Sequence, residues 1–201
     1  MYNHRYIIIV SKQIMSTQQP ANIHRIVFCF PGASFSSAFL TSWSNILLKL
    51  TSMGHQVLMA NRDETPWFVR NLCLGGNVLR GKEQKPFNGQ VEYDYLFFIN
   101  HDIVFSVNDI LALIADLKDS DRHVVGGVVP ISGEEYDIID KGHWSFQEYI
   151  QMGRFRPFTR GDLVLKQDAV FEVDHVSAGF VCMRQGVIEE LEYPWFKPLY
   201  F

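Results

Sequence analysis

The sequence predicts an α/β fold: a mainly parallel central sheet with helices on both faces, followed by an irregular C-terminal third. Three observations carry that reading. Four short apolar runs, HRIVFCF (24–30), HQVLMA (55–60), YDYLFFI (93–99) and RHVVGGVVP (122–130), have the length and content of buried strands. The stretches between them place apolar residues three and four apart, the spacing of a helix with one buried face. The junctions carry Pro, Gly, Ser, Asn and Asp, which stop one element and cap the next. Strand and helix alternating in this way is the pattern of βαβ units, whose strands run parallel and are covered on both sides.

Residues 1–22 read as a poorly structured extension. The apolar run Tyr6–Val10 is far shorter than the roughly 18 to 20 residues a membrane span requires. It also lacks the longer apolar region and small-residue cleavage site of a signal peptide. SKQIMSTQQPAN (11–22) is polar, with Met15 an alternative start. HRIVFCF then forms the first strand and stops at Pro31-Gly32. In the following segment Phe39, Trp43, Ile46, Leu47 and Leu50 share one helical face, and Gly54 ends it. HQVLMA is the second strand. DETPWFVRNLCLGGNVL opens as a helix, with Thr65 as N-cap and Pro66 at its first position. YDYLFFI is the third strand, SVNDILALIADLKDS a helix capped by Ser106, and RHVVGGVVP the fourth strand. Beyond Ile131 the pattern loosens. LVLKQ and AVFEVDHV read as strands, and one amphipathic helix is expected near 184–192. No repeat or linker divides residues 23–201, which read as one domain.

The 201 residues, 47% hydrophobic and 20% charged, are enough to bury a sizeable core. A net charge of −4, without a basic run, excludes a general electrostatic hold on nucleic acid. Cys29, Cys73 and Cys182 are odd in number and widely spaced. That argues against a disulfide framework or zinc site and for a reducing, cytoplasmic setting. No GxGxxG follows a strand and no GxxxxGKS/T occurs, so dinucleotide and P-loop readings fall away.

Ligands of such sheets bind beyond the carboxyl ends of the strands. Three predicted ends carry polar or permissive residues: Pro31-Gly32-Ala33-Ser34, Asn61-Arg62-Asp63-Glu64 and Asn100-His101-Asp102. They are expected to converge on one crevice. A carboxylate at a strand tip, beside another oxygen donor, suits a hard divalent cation held jointly by the protein and phosphate oxygens. Asn100 and Asp102 lie on alternate residues, so the tip must turn for both to meet one ion. Both residue types also serve as plain turn and helix caps at strand ends.

LFFINHDIVF resembles the Asp-x-Asp region of nucleotide-sugar glycosyltransferases of the GT-A fold, family-2-like. PGASFSSAFLTSW is similar to that family's first strand loop and the helix behind it. VRNLCLGGNVL (69–79) is similar to its Ala-Arg-Asn helix, and VDHVSAGFVCMRQGVIEELEYPWF (173–196) to its acceptor-side segment. The resemblance implies a GT-A (Rossmann-like) sheet, with 23–130 the nucleotide-binding part and 131–201 the acceptor-side part. It implies metal-dependent transfer of a sugar from a nucleoside-diphosphate sugar to a glycan or other hydroxyl acceptor, with Mn²⁺ or Mg²⁺ as cofactor.

Residue by residue, Asp102 matches the metal-binding carboxylate, and Asn100 stands where the family's first Asp is, offering a neutral amide oxygen instead. His101 fills the middle place, facing ribose or phosphate. Arg70 matches the Arg that meets base or phosphate, and Asp63 the strand end that faces the nucleobase. Pro31 and Ser34 belong to the donor-side loop. Gly179 allows close approach of a substrate, with Asp174 and His175 beside it, and Trp195 is a candidate sugar-stacking ring. The family continues past Pro-Trp-Phe into a Glu-Asp-containing helix that supplies the catalytic base; here Asp174 is the candidate substitute. Two other readings stay open: a catalytically silent nucleotide- or glycan-binding module, favoured by the neutral Asn100, and a sugar nucleotidyltransferase. The latter carries a Gly-rich phosphate loop where this chain has PGASFSS.

Overall fold

The computed structural model describes residues 6–9, 23–63, 68–118, 121–132, 135–136, 138–139, 158–166, 170–173 and 175–197. The first half follows the expected alternation: β2 (Arg25–Pro31), α1 (Ser37–Ser52), β3 (Gln56–Arg62), α2 (Val69–Cys73), β4 (Tyr95–Ile99), α3 (Val107–Lys118) and β5 (Val124–Gly127). Before it comes β1 (Tyr6–Ile9). After it come β6 (Pro130–Ser132), β7 (Glu135–Tyr136), β8 (Ile138–Ile139), β9 (Phe158–Thr159), α4 (Arg160–Leu165), β10 (Val170–Val173), β11 (His175–Val176) and β12 (Phe180–Arg184).

Local chemistry accounts for the helix boundaries. Ser36 Oγ accepts the Phe39 N–H at 3.0 Å and starts α1, whose buried stripe is Phe39, Trp43, Ile46 and Leu50. At the head of α3, Asp109 Oδ2 accepts from Ser106 N at 2.7 Å and from its Oγ at 2.8 Å. Thr159 and Asp162 form a complete capping box at the head of α4. That box overrides the strand expected over LVLKQ: satisfying the first helical N–H groups makes the helix the better local state.

A seven-stranded sheet runs in the order β10-β1-β5-β12-β4-β2-β3. β2 lies parallel to β3 and β4, and β1 parallel to β5. β12, however, is antiparallel to both β4 and β5, and β10 is antiparallel to β1, so the sheet is mostly parallel as expected, with two reversed strands. A strand buried on both faces carries the same apolar run whichever way it points, and direction is therefore invisible in FVCMR. Two further expectations are corrected. Tyr6–Ile9 is a sheet strand rather than part of a loose extension, because its apolar residues pair on both sides. The segment after Arg184 makes turns rather than a helix: Gly186 sits at φ +98°, and Leu191 N donates back to Ile188 O at 3.0 Å.

Alternation along the strands splits the core in two. Ile26, Phe28, Phe30, Phe97, Ile99 and Cys182 face α1 and α3. Val27, Cys29, Leu96, Phe98, Val181 and Met183 face α2 and the C-terminal segment with Tyr193 and Trp195. The three cysteines are buried and unbridged. Among the described residues no helix is long and apolar enough to cross a membrane.

Two histidines close the opposite end of the sheet. His24 and His55 stack with ring centroids 5.5 Å apart, and Tyr95 meets His24 edge-on. The His24 backbone N–H donates to His55 Nδ1 at 3.1 Å, so the neutral ring carries its proton on Nε2. Among the described residues that buried Nε2 has no hydrogen-bond partner. Burial pushes both imidazoles below the usual 6.5; for His24 the neighbouring ring and Lys118 add to this, while Asp94 opposes it. As pH falls through 6.5 the unfolded chain therefore takes up protons before the folded one. Stability is expected to be full above that value, to decline below it, and to level off under the folded-state pKa. Urea midpoints from about pH 8 to about pH 5 check this, and His55→Phe should flatten the slope. A midpoint that is unchanged across the window would contradict it.

Candidate functional site

The chain leaves β2 to build β3 on one side and then crosses back to build β4 on the other. This reversal leaves a crevice outside the carboxyl ends of β2 and β4, where open α/β sheets take their ligands. The tips of β2, β3 and β4 do meet there. Gly32 N donates to Arg62 O at 2.9 Å, and Asn61 Nδ2 bridges Phe30 O at 2.7 Å and Gly32 O at 2.9 Å. A Cβ on Gly32 would fall 2.8 Å from His101 Nδ1, and the Gly32 φ of +144° also favours glycine. The β2 loop and the β4 tip are thus packed directly against each other.

The tip of β4 turns at once. Ile103 N donates to Asn100 O at 3.2 Å, which brings His101 and Asp102 to the surface, both exposed. Asn100 itself is pinned from three directions. Its N–H donates to Gly179 O at 2.8 Å, and its Oδ1 accepts from Arg70 Nη2 at 3.0 Å. The same Arg70 nitrogen reaches Ala178 O at 3.3 Å. Gly179 has no room for a side chain: a Cβ would lie 3.0 Å from both Asn100 Nδ2 and Ser177 Oγ. One guanidinium therefore ties α2, the β4 tip and the turn before β12 together.

This arrangement changes what Asn100 can do. An amide oxygen already facing a guanidinium is poorly placed to bind a divalent cation, because the two positive charges would compete at close range. Asn100 is better described as the group that sets the turn, which leaves Asp102 as the carboxylate facing the crevice. A single carboxylate fits a cation chelated mainly by substrate phosphates rather than one caged by protein. Among the described residues no three His, Cys, Asp or Glu side chains gather as a ready metal cluster.

The other expected site residues fall as follows. Pro31 is buried at the end of β2, Ser34 is exposed in the loop ahead of α1, and Asp63 is exposed just past β3. His175 is exposed on β11, which pairs with β8 in a separate two-stranded sheet. Trp195 is not an open stacking platform. It is only 7% exposed, meets Tyr193 edge-on at 5.2 Å, and covers Gly76. Asp174 lies outside the described residues, as do Thr65 and Pro66.

Two features went unnoticed in the sequence. Asn71, next to Arg70, is completely buried and clamps the C-terminal segment. Its Nδ2 donates to Phe196 O at 2.6 Å, and its Oδ1 accepts from Phe196 N at 3.1 Å. The only trace in the sequence is an amide in the middle of an apolar helical stretch. The second feature is a cleft of about 800 Å³ lined by Asn100 and Asp102 of the β4 tip. Val104, Gly127, Tyr136, Leu163, Ser177 and Phe180 are among its other lining residues. No protein-family model, curated protein or solved structure matches the chain.

Proposed function

We propose that the protein is a metal-dependent glycosyltransferase on a GT-A-like fold, moving a sugar from a nucleoside-diphosphate sugar to a hydroxyl acceptor. The observation that supports it most is the position of Asp102. It lies on a turned strand tip at the crossover of the sheet and lines the 800 Å³ cleft. A Mn²⁺ or Mg²⁺ ion held there by Asp102 would offset the charge developing on the leaving diphosphate. The chain's own contribution is positional. Arg70 and Asn100 hold the turn, Gly32 and Gly179 let backbone approach closely, and the exposed Arg62 and His101 lend positive or polar character to the β2–β3 side. Transfer to an acceptor also needs a base for its hydroxyl proton. Asp109, which lines the cleft, already accepts at one carboxylate oxygen in the α3 cap; Asp174 remains the candidate for this step.

Calorimetry with UDP and GDP, with and without Mn²⁺, tests the proposal. Metal-dependent binding is expected, and Asp102→Ala should weaken it by about 1.4–2.8 kcal/mol, roughly 10- to 100-fold. No nucleotide binding under any condition would sink the reading. The engagement of Asn100 by Arg70 specifically favours one alternative, a silent nucleotide-binding module that lacks a second metal ligand. That alternative wins if binding persists while donor hydrolysis and sugar transfer are both absent.

A further inference from the structure

The cleft is lined by polar and apolar groups from different elements. Asp102 and Ser177 belong to the β4 tip and the turn before β12, where Asn100 and Ser177 meet at Gly179. Tyr136 and Leu163 come from β7 and α4, and Val104 and Val128 from the chain just past β4 and β5. Its charge is one-sided: Asp102 and Asp109 are carboxylates, and no Lys or Arg occurs among the described lining residues. Val104, one of the lining residues, is 63% exposed, so a ligand in the cleft can cover it. A volume of about 800 Å³ lies within the range that takes a small molecule whole.

We propose that this cleft binds an uncharged amphiphile, a hydroxyl-bearing head group against Asp102 and Ser177 with an aliphatic or aromatic body along Val104, Tyr136 and Leu163. Calling this ligand the acceptor rests on the transferase reading above; the binding claim itself does not. The head group's hydroxyls donate to the Asp102 carboxylate and exchange hydrogen bonds with Ser177 Oγ, which itself accepts from Gly179 N at 3.0 Å. The body covers Val104 and the apolar walls and removes that surface from water. Without a bound metal ion, anionic ligands of the same shape are disfavoured, because the two carboxylates face no Lys or Arg among the described lining residues and repel a phosphate or sulfate.

The test uses three probes on the full chain: octyl β-glucoside below its micelle concentration, methyl β-glucoside, and octyl phosphate. Octyl β-glucoside is expected to bind at least about tenfold more tightly than either of the others, since the alkyl chain adds buried apolar surface without adding charge. Leu163→Asp should lower its affinity by about tenfold and Leu163→Met should restore it, because only the apolar wall is altered. Equal binding of the two glucosides would overturn the proposal, as would octyl phosphate matching octyl β-glucoside or an unaffected Leu163→Asp variant. The probe comparison on the unaltered chain decides the matter even if a variant fails to fold. Calorimetry with UDP, GDP and Mn²⁺ on the same preparation separates the two claims. Glucoside binding without nucleotide binding removes the transferase reading and keeps this one, and the reverse result does the opposite.

Discussion

Asn71→Ala is expected to lower the unfolding free energy by about 2–5 kcal/mol, a large share of the stability of a domain this size. Asn71 is completely buried, and its amide satisfies both the N–H and the C=O of Phe196. Alanine cannot replace either bond, and each partly buried backbone group left without a partner costs about 1–3 kcal/mol. Leucine fills more of the space but leaves the same two groups unmet, so it should not rescue the loss. Aspartate keeps an acceptor for Phe196 N–H but sets a carboxylate oxygen against Phe196 O and should be no better than alanine. The damage should centre on 193–196, where Trp195 packs over Gly76. Urea unfolding gives the magnitude, and a red shift of tryptophan emission before global unfolding would locate it. A loss below about 0.5 kcal/mol would show that the segment finds other partners.

Gly127→Ala is the second large effect. Gly127 ends β5 on the face covered by Phe180, and an added Cβ would lie 2.7 Å from Phe180 Cε1 and closer still to Cδ1. The ring is only 8% exposed and packs on Phe105, with centroids 5.9 Å apart, so it has little room to retreat. Overpacking of this kind costs about 1–3 kcal/mol, and the upper end is expected where backbone and ring are both held. Phe180 and Gly127 also line the cleft beside Asp102, so affinity for octyl β-glucoside should fall as well. Gly126→Ala supplies the internal comparison. Its Cβ would run into Val176 on the opposite face of the sheet, and neither residue lines the cleft. It should destabilise to a similar degree while leaving glucoside binding intact. Equal loss of binding in both variants would mean that the effect is general rather than local to the cleft.

These two cases mark the border between what can be read from residues and what cannot. The helix over Ser37–Ser52 was legible because Phe39, Trp43, Ile46 and Leu50 recur at its period, and all four are buried. β2, β3, β4 and β5 were legible as apolar runs bounded by breakers, and their polar ends marked the crevice. Gly126 and Gly127 are visible in the sequence only as a glycine pair inside the apolar run RHVVGGVVP. That they make room for Val176 and Phe180 depends on chain segments 50 or more residues away in the sequence. LVLKQ was misread because its apolar content outweighed the capping box of Thr159 and Asp162, whose signal lies in local hydrogen bonds.

The sequence alone determined the α/β class, the placement of the first helices and strands, and the position of Asp102 at a strand end. Those properties follow from periodicity, capping and the cost of burying polar groups, all of which act between near neighbours. Only the tertiary structure decided that β12 runs backwards between β4 and β5, that Tyr6–Ile9 joins the sheet, and that Asn100 is bound to Arg70 instead of standing free. Each of these depends on which distant segment becomes a neighbour. An amide can accept a hydrogen bond from a guanidinium or offer its oxygen to a metal ion with the same atom, and only the folded chain brings Arg70 within 3.0 Å of it.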